Sequence, residues 1–375
     1  MKKFLNEFIP FVVLLVMVSC SSIKKVIPIK GTSLKKPVFT VLWSKNYDPD
    51  YKTGNLPIAL NGPITSEGIV YAGHNEGEMR AYDVETGKSA WVVKDGGLSH
   101  STPIVYKDLL IYGTLQGRLF ARNRITGSLK YSVELGSGVE TQGVIYKDRL
   151  YVHLRNHKIF CLDAQTGAII WAYKRSMSYK TTLQRASRPF ISKDKLYVGF
   201  ADGYLVSFSA QDGSLLWETK LAEDVKFLDV DTAPRLFFGK IFAGVSEGDI
   251  FVLNPKNGEV LSKLPFSSLR DLKLIEDKIF IGTKKGNVVV LDESLKMVKE
   301  SRTLDGAITG LAVWKDRFIV VGTIRGTLYA LDTKSLEIVD HLNFGYAGTP
   351  HFNEASIDGP FLSIISSRNR LHLIK

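Results

Sequence analysis

An all-β fold, an eight-bladed β-propeller of four-stranded blades whose last blade is closed by an N-terminal strand, is what this sequence predicts. Three observations carry that prediction. A string of short alternating strands and fixed turn residues recurs eight times within 375 residues. One turn position of the string falls at Gly77, Gly117, His157, Gly203, Gly248, Gly286, Gly326 and Asn369, at intervals of 40, 40, 46, 45, 38, 40 and 43 residues. The eighth copy reaches Lys375 without its final strand, and a matching strand, Phe39-Thr40-Val41-Leu42-Trp43-Ser44, stands near the other end of the chain. A period near 40 with several strands per unit is the spacing of propeller blades. Borrowing the missing strand from the N-terminal segment closes the ring and leaves no open sheet edge between the first and last copies.

The elements follow in chain order. Lys2 and Lys3 precede an apolar stretch from Phe8 to Val18, interrupted at Pro10, that ends in Met17-Val18-Ser19-Cys20-Ser21-Ser22. The stretch is shorter than the roughly 20 residues a membrane-spanning helix needs, and it has the layout of a secretory signal. Residues 1–19 are therefore expected to be a lipoprotein signal peptide. Its last residues resemble a bacterial lipobox, which implies that Cys20 is lipidated and becomes the mature N-terminus. By the same resemblance, serine at position 21 implies sorting to the outer membrane, with the protein facing the periplasm. Acyl chains on one cysteine anchor through about 0.8 kcal/mol per buried methylene. Residues 20–36 are lysine-rich, with few large apolar side chains, and read as a flexible tether able to lie near anionic head groups. Residues 37–375 form the propeller.

Each blade is written in the same parts. In the first copy, Ile69 to Gly73 is a strand and Gly77 lies in the turn after it. Met79 to Asp83 is the next strand, Thr86-Gly87 the next turn, and Trp91 lies on the outer strand. Apolar alternation marks half-buried strands, and glycine supplies the positive φ of tight turns. The aromatic that follows the Thr-Gly turn returns as Tyr131, Trp171 and Trp217, and as Trp43 in the closing strand. These five residues are expected to pack between neighbouring blades.

Composition narrows function. Hydrophobic residues make up 45% and charged residues 23%, too apolar for a disordered chain. Two cysteines cannot build a disulfide scaffold or a zinc ribbon. Once Cys20 is assigned to the anchor, Cys161 is a lone thiol in a strand and reads as a small buried apolar residue. Removing residues 1–19 takes away Lys2, Lys3 and Glu7, so the formal charge falls from +11 to +10. The positive charges are dispersed among the blades and the chain carries an export signal, so nucleic acid is not an expected partner. His153 and His157 have metal-like spacing but occupy blade positions held elsewhere by glycine, and read as turn residues. No catalytic or metal-binding signature occurs. No catalytic residue, metal or cofactor is assigned.

The Ala-x-Asp-x-x-Thr-Gly-x-x-x-Trp string of Ala81–Trp91, repeated at Cys161–Trp171, resembles the repeat of quinoprotein dehydrogenases and their relatives. Two branches of that group compete. Quinone-dependent dehydrogenases are expected to carry adjacent cysteines and acidic and amide ligands for calcium, and this chain has no adjacent cysteines. The BamB family of outer-membrane lipoproteins is resembled more closely. Asp229-Val230-Asp231-Thr232-Ala233-Pro234 is similar to one loop of that family, and Thr182-Leu183-Gln184-Arg185-Ala186-Ser187-Arg188-Pro189 to a neighbouring loop. The resemblance implies that Leu183, Gln184, Arg185, Asp229 and Asp231 contact a BamA-like barrel-assembly protein. It also implies a non-catalytic scaffold that lends strand edges to unfolded outer membrane proteins.

The residues themselves point to the same loops. The two longest repeat intervals, 46 and 45, fall at these adjacent junctions, and extra length in a propeller goes into functional loops. The first insertion carries Lys174, Arg175, Lys180, Arg185 and Arg188, and the second Glu223, Asp224, Asp229 and Asp231. Arg185 is expected to pair with Asp229 or Asp231, an exposed pair worth about 0–1 kcal/mol. Leu183 and Phe227-Leu228 are expected at least partly exposed. Three functions stay open on the sequence: the scaffold, a quinone-dependent dehydrogenase or degenerate relative, and a general envelope-binding propeller.

Overall fold

Alternating short strands that bury both faces have to stack sheet against sheet, and eight such sheets stack here around an axis. The computed structural model describes residues 37–47, 61–74, 76–97, 101–176, 186–223, 227–246, 248–267, 272–344 and 350–375. Cys20, Leu183, Gln184 and Arg185 lie outside the described residues. The strands form eight four-stranded antiparallel sheets, and no helix occurs among the described residues. Blade 1 runs from the axis outward as Ile64–Ser66, Ile69–Gly73, Glu78–Asp83 and Ser89–Lys94. Blades 2 to 8 begin with the inner strands Ile104–Tyr106, Val144–Tyr146, Phe190–Ser192, Arg235–Phe237, Lys273–Ile275, Ile308–Trp314 and Ser356–Asp358. Blade 8 takes its outer strand, Val41–Asn46, from the N-terminal segment, paired antiparallel with Arg370–Ile374.

Eight apolar clusters fill the eight seams between blades. The period-two alternation of a strand feeds both neighbours. In blade 4, Leu196 and Val198 pack towards blade 3, while Tyr197 and Leu205 pack towards blade 5. Cys161 is buried in the seam between blades 3 and 4. Burying one such aliphatic or aromatic side chain stabilises by about 1.5–3 kcal/mol, so every seam contributes to holding the ring shut.

The Asp-x-x-Thr-Gly segment is a side-chain-capped turn. Asp83 Oδ1 accepts from the Thr86 amide at 2.8 Å and from its hydroxyl at 2.6 Å. Asp163 does the same with Thr166, at 2.8 Å for each bond. These bonds hold both carboxyls below their usual pKa range. Every blade has a bulge in its outer strand, directly after the turn in blades 1 to 7 and at the start of the closing strand in blade 8. In blade 1 Ala81 faces Trp91 and Tyr82 faces Ser89, which leaves one residue unpaired. The same shift recurs in the other seven sheets. A bulge adds local twist and re-aims the next side chain.

The re-aimed side chain is the aromatic. Trp43, Trp91, Tyr131, Trp171 and Trp217 each lie against the glycine of the next blade's turn: Gly87, Gly127, Gly167, Gly213 and Gly258. A Cβ on Gly87 would come within 2.9 Å of the Trp43 ring, and Gly87 also has φ +64°. Only glycine meets both demands. Each aromatic also donates to a carbonyl of that turn. Trp43 Nε1 reaches Val84 at 2.9 Å, Trp91 Nε1 reaches Arg124 at 3.0 Å and Tyr131 Oη reaches Ala164 at 2.9 Å. Trp171 and Trp217 reach Ala210 and Pro255, each at 3.3 Å.

The closing strand starts later than the sequence suggested. Val38 and Phe39 do not pair with blade 8. Their amides donate to Asp340 Oδ2 in blade 7, at 2.8 and 2.9 Å, and Phe39 stacks on the buried Trp314 with centroids 5.6 Å apart. Thr40 then exchanges backbone bonds with Lys375 at 2.9 and 2.8 Å, and the strand proper follows. The N-terminal segment therefore spans two blades.

Candidate functional site at the junction of blades 3, 4 and 5

Two loops lead into the inner strands of blades 4 and 5, and the described part of the first is 186–189. Ser187 is fully buried. Its hydroxyl accepts from the Gly199 amide at 2.9 Å. Its carbonyl can only accept, so His153 Nδ1, at 3.0 Å, is the donor. Burial pushes His153 down to about 3, so the ring is neutral at physiological pH. His157 occupies the turn between the second and third strands of blade 3 with φ +62°. Burial lowers its pKa too, opposed by the Asp202 and Asp229 carboxylates.

The second loop, 227–234, is sewn to both flanking blades. Val230 donates to the Phe200 carbonyl at 3.0 Å. A Cβ on Gly199 would stand 2.2 Å from the Val230 carbonyl oxygen, so this close approach requires glycine. On the other side, Ser246 donates its amide to the Asp229 carbonyl at 2.8 Å and its hydroxyl to Asp231 Oδ2 at 3.2 Å. Leu228 and Val230 join the core between blades 4 and 5. Leu228, expected partly exposed, is buried, because the loop turns its apolar residues inward against that seam. Asp229 is also fully buried, whereas Phe227 and Asp231 are half-buried.

Arg175, at the end of blade 3, fixes the rim of the site. Its Nε reaches Asp202 Oδ2 at 2.6 Å and its Nη1 reaches Glu218 Oε2 at 2.8 Å. The guanidinium lies over Tyr204 and Phe200, 4.6 and 5.2 Å from their centroids. Phe200 is the common node: its carbonyl holds the second loop, and its ring meets His153 edge-on at 5.1 Å and the Arg175 cation. Arg188, at the end of the first loop, points across the axis. Its Nη1 lies 3.8 Å from Glu354 Oε2 of blade 8, and Lys273 of blade 6 pairs with the same carboxylate.

Asp229 and Asp231 thus sit in one rigid loop, next to blade 3 residues that the basic insertion follows. Phe200 and Ser246 are functional supports that the sequence reading missed. A signal existed for Phe200. Blades 2 and 6 have Thr114 and Thr283 there, whose hydroxyls reach back into their own turns at 3.3 and 3.0 Å. Phenylalanine cannot do that and looks outward to its neighbours instead.

Chemically, the arrangement is a shaped, charged ledge. No three His, Cys, Asp or Glu side chains converge as a metal-ligand set among the described residues. Burial raises the pKa of the Cys161 thiol, which makes it a poor nucleophile. Across the axis one carboxylate, Glu354, meets two cations, Arg188 and Lys273.

An eight-bladed ring with five aromatic-on-glycine seams and a loop ledge over its middle blades is a propeller of the quinoprotein-repeat class. The family model described as outer membrane protein assembly factor BamB matches residues 40–142 and 130–339. The chain belongs to that family. An outer membrane protein assembly factor BamB from Kangiella koreensis is 27% identical over 136 residues, a match spanning 34% of each protein. The crystal structure of BamB from Moraxella catarrhalis superposes with a TM-score of 0.74 at 19% identity, covering 90% of this chain and 99% of that one. The quinohemoprotein alcohol dehydrogenase from Comamonas testosteroni superposes with a TM-score of 0.70 at 11% identity, covering 90% and 76%. At these identities the superpositions speak for the fold alone.

Proposed function

We propose that this protein is a non-catalytic scaffold of outer-membrane β-barrel assembly. It is lipid-anchored through Cys20 and faces the periplasm, and it docks a BamA-like barrel-insertion subunit on the ledge over blades 3 to 5. The observation that carries the proposal is the loop 227–234, held by bonds to both flanking blades beside the Arg175 rim. A loop ordered before binding loses little entropy on docking. Asp231 and Phe227 are the half-exposed contacts of that loop, and Leu183, Gln184 and Arg185 are their counterparts on the neighbouring loop. Asp229, being buried, positions the loop from beneath. Unfolded barrel strands pair transiently with the outer blade strands by strand addition.

Co-purification from membranes tests the docking. Arg185→Glu and Asp231→Arg are expected to lose the barrel-insertion subunit; Asp231→Arg also removes the acceptor of the Ser246 hydroxyl and is expected to lower stability by about 1 kcal/mol. Undiminished recovery with both variants would sink the assignment. For the anchor, Cys20→Ala is expected to abolish palmitate labelling and release the protein into the soluble periplasmic fraction.

A further inference from the structure

The strands of each blade run antiparallel, so the turns between second and third strands all lie on one face of the ring, the face that carries the ledge. In these turns the residue before the turn glycine (His157 in blade 3, Asn369 in blade 8) changes sign around the ring. It is Glu76, Gln116, Asn156 and Asp202 in blades 1 to 4, and Lys285, Arg325 and Arg368 in blades 6 to 8. Cations therefore occupy three consecutive turns. Arg302 joins them at the same face, just beyond the outer strand of blade 6, Met297–Glu300. All four are exposed, as is Ile324 in the blade 7 turn. Among the described residues, the side chains of Lys285, Arg302 and Arg325 make no hydrogen bond or ion pair. The carboxylates beside them are already engaged: Glu300 accepts from Asn287, and Asp305 from the Thr327 hydroxyl at 2.6 Å.

We infer that the turns of blades 6 to 8 form a docking surface for an acidic segment of a partner protein. Charge complementarity carries the assignment. Opposite charge on a partner speeds encounter and fixes register, and cations set on short turns of a rigid ring need little ordering when they bind. Arg302 and Arg325 each present a guanidinium fork that matches a carboxylate with two parallel bonds. Ile324 adds an apolar contact among them. The anions at the same position in blades 1 and 4, Glu76 and Asp202, repel an acidic segment and confine it to blades 6 to 8. Protein is favoured over lipid by where the chain enters the ring. Thr40 pairs with Lys375, beyond the end of the strand Arg370–Ile374 that lies away from Arg368, so the anchor proposed at Cys20 is joined to the opposite face. That preference rests on the anchor; the surface itself depends neither on it nor on the ledge over blades 3 to 5.

Anisotropy of a fluorescein-labelled peptide of alternating glutamate and glycine tests the inference with the full-length protein. The peptide is expected to bind saturably, and its lysine–glycine counterpart not to bind. Lys285→Glu combined with Arg325→Glu is expected to weaken the acidic peptide roughly tenfold, with a thermal midpoint within about 2 °C of the parent, as for surface substitutions. Lys88→Glu combined with Lys256→Glu makes the same change in net charge in turns of the opposite face, and is expected to leave the affinity within about twofold. Equal weakening by the two pairs, or no saturable binding of the acidic peptide, would overturn the inference. Vesicles containing phosphatidylglycerol form the lipid arm. Binding to them that the Lys285→Glu and Arg325→Glu pair abolishes, with none to the peptide, would overturn it in favour of a membrane surface. Peptide binding is read without a membrane, so failure of the anchor reading leaves this result standing. Should the charge reversals unfold the ring, Lys285→Gln with Arg325→Gln is expected to weaken the acidic peptide about threefold, and an unchanged affinity there would equally overturn the inference.

Discussion

Acidification from pH 7.5 to 5.5 should destabilise the ring by a calculable amount. Three histidines are held neutral, His153 and His351 fully buried and His372 half-buried. Burial holds His153 at about 3, His351 at about 4 and His372 at about 3. His153 and His351 each give Nδ1–H to a carbonyl, of Ser187 and of Ile365 at 3.0 and 3.1 Å. Their Nε2 atoms, and that of His372, are buried without a hydrogen-bond partner among the described residues. His372 meets Ser44 of the closing strand through Nδ1 at 2.7 Å. Its titratable neighbours are His351 and Arg370, both of which oppose protonation. Unfolded histidine titrates near 6.5. Between pH 6.5 and about 4 the unfolded chain therefore binds protons that the folded ring refuses, and stability falls as the pH falls. At pH 5.5, one unit below the unfolded value, each histidine costs about 1.4 kcal/mol and the three together about 4 kcal/mol. Depressed carboxylates such as Asp83 lose their contribution only at lower pH and add little in this window. Urea unfolding followed by tryptophan fluorescence at pH 7.5, 6.5 and 5.5 measures the change. His351→Gln should flatten the dependence by about 1.4 kcal/mol. A midpoint that does not move between pH 7.5 and 5.5, or a His351→Gln variant with the parental slope, would refute the reasoning.

Further outcomes follow from the seams and the closure. Trp91→Ala should cost about 3–5 kcal/mol, and Trp91→Phe, which keeps a ring but loses the bond to the Arg124 carbonyl, about 1 kcal/mol for that bond. Calorimetry separates the two. Gly127→Ala, with φ +72° and a Cβ 2.9 Å from Trp91, should destabilise more than Gly136→Ala, with φ +77° but nothing within 4 Å. An equal loss would mean that the seam contact contributes nothing. Asp340→Ala removes the acceptor of the Val38 and Phe39 amides, and should cost about 1–3 kcal/mol. Limited proteolysis should then cut near residue 38 sooner than in the parent.

The number of blades was legible because its signals are local. Asp83, Thr86 and Gly87 make their turn within five residues, and the aromatic four positions on is aimed by a bulge in the same hairpin. The grip of Val38 and Phe39 on blade 7 was not legible, because it joins residues about 300 positions apart and Asp340 stands where other copies have an aromatic. Asp229 was visible as a charge in a long loop, but its burial was not. That burial depends on Phe200 and Ser246, which hold the loop from two different blades.

The pairing of Val41–Asn46 with Arg370–Ile374 also sets a clock. At ribosomal rates of about 5–20 residues per second, the outer strand of blade 8 is made on the order of tens of seconds before its partner exists. Throughout that interval it is an unsatisfied strand carrying Val41, Leu42 and Trp43. The ring cannot close until the last residues are made, and until then the unpaired strand is open to pairing with another molecule. Ring closure is thus an encounter between the earliest and latest parts of the chain.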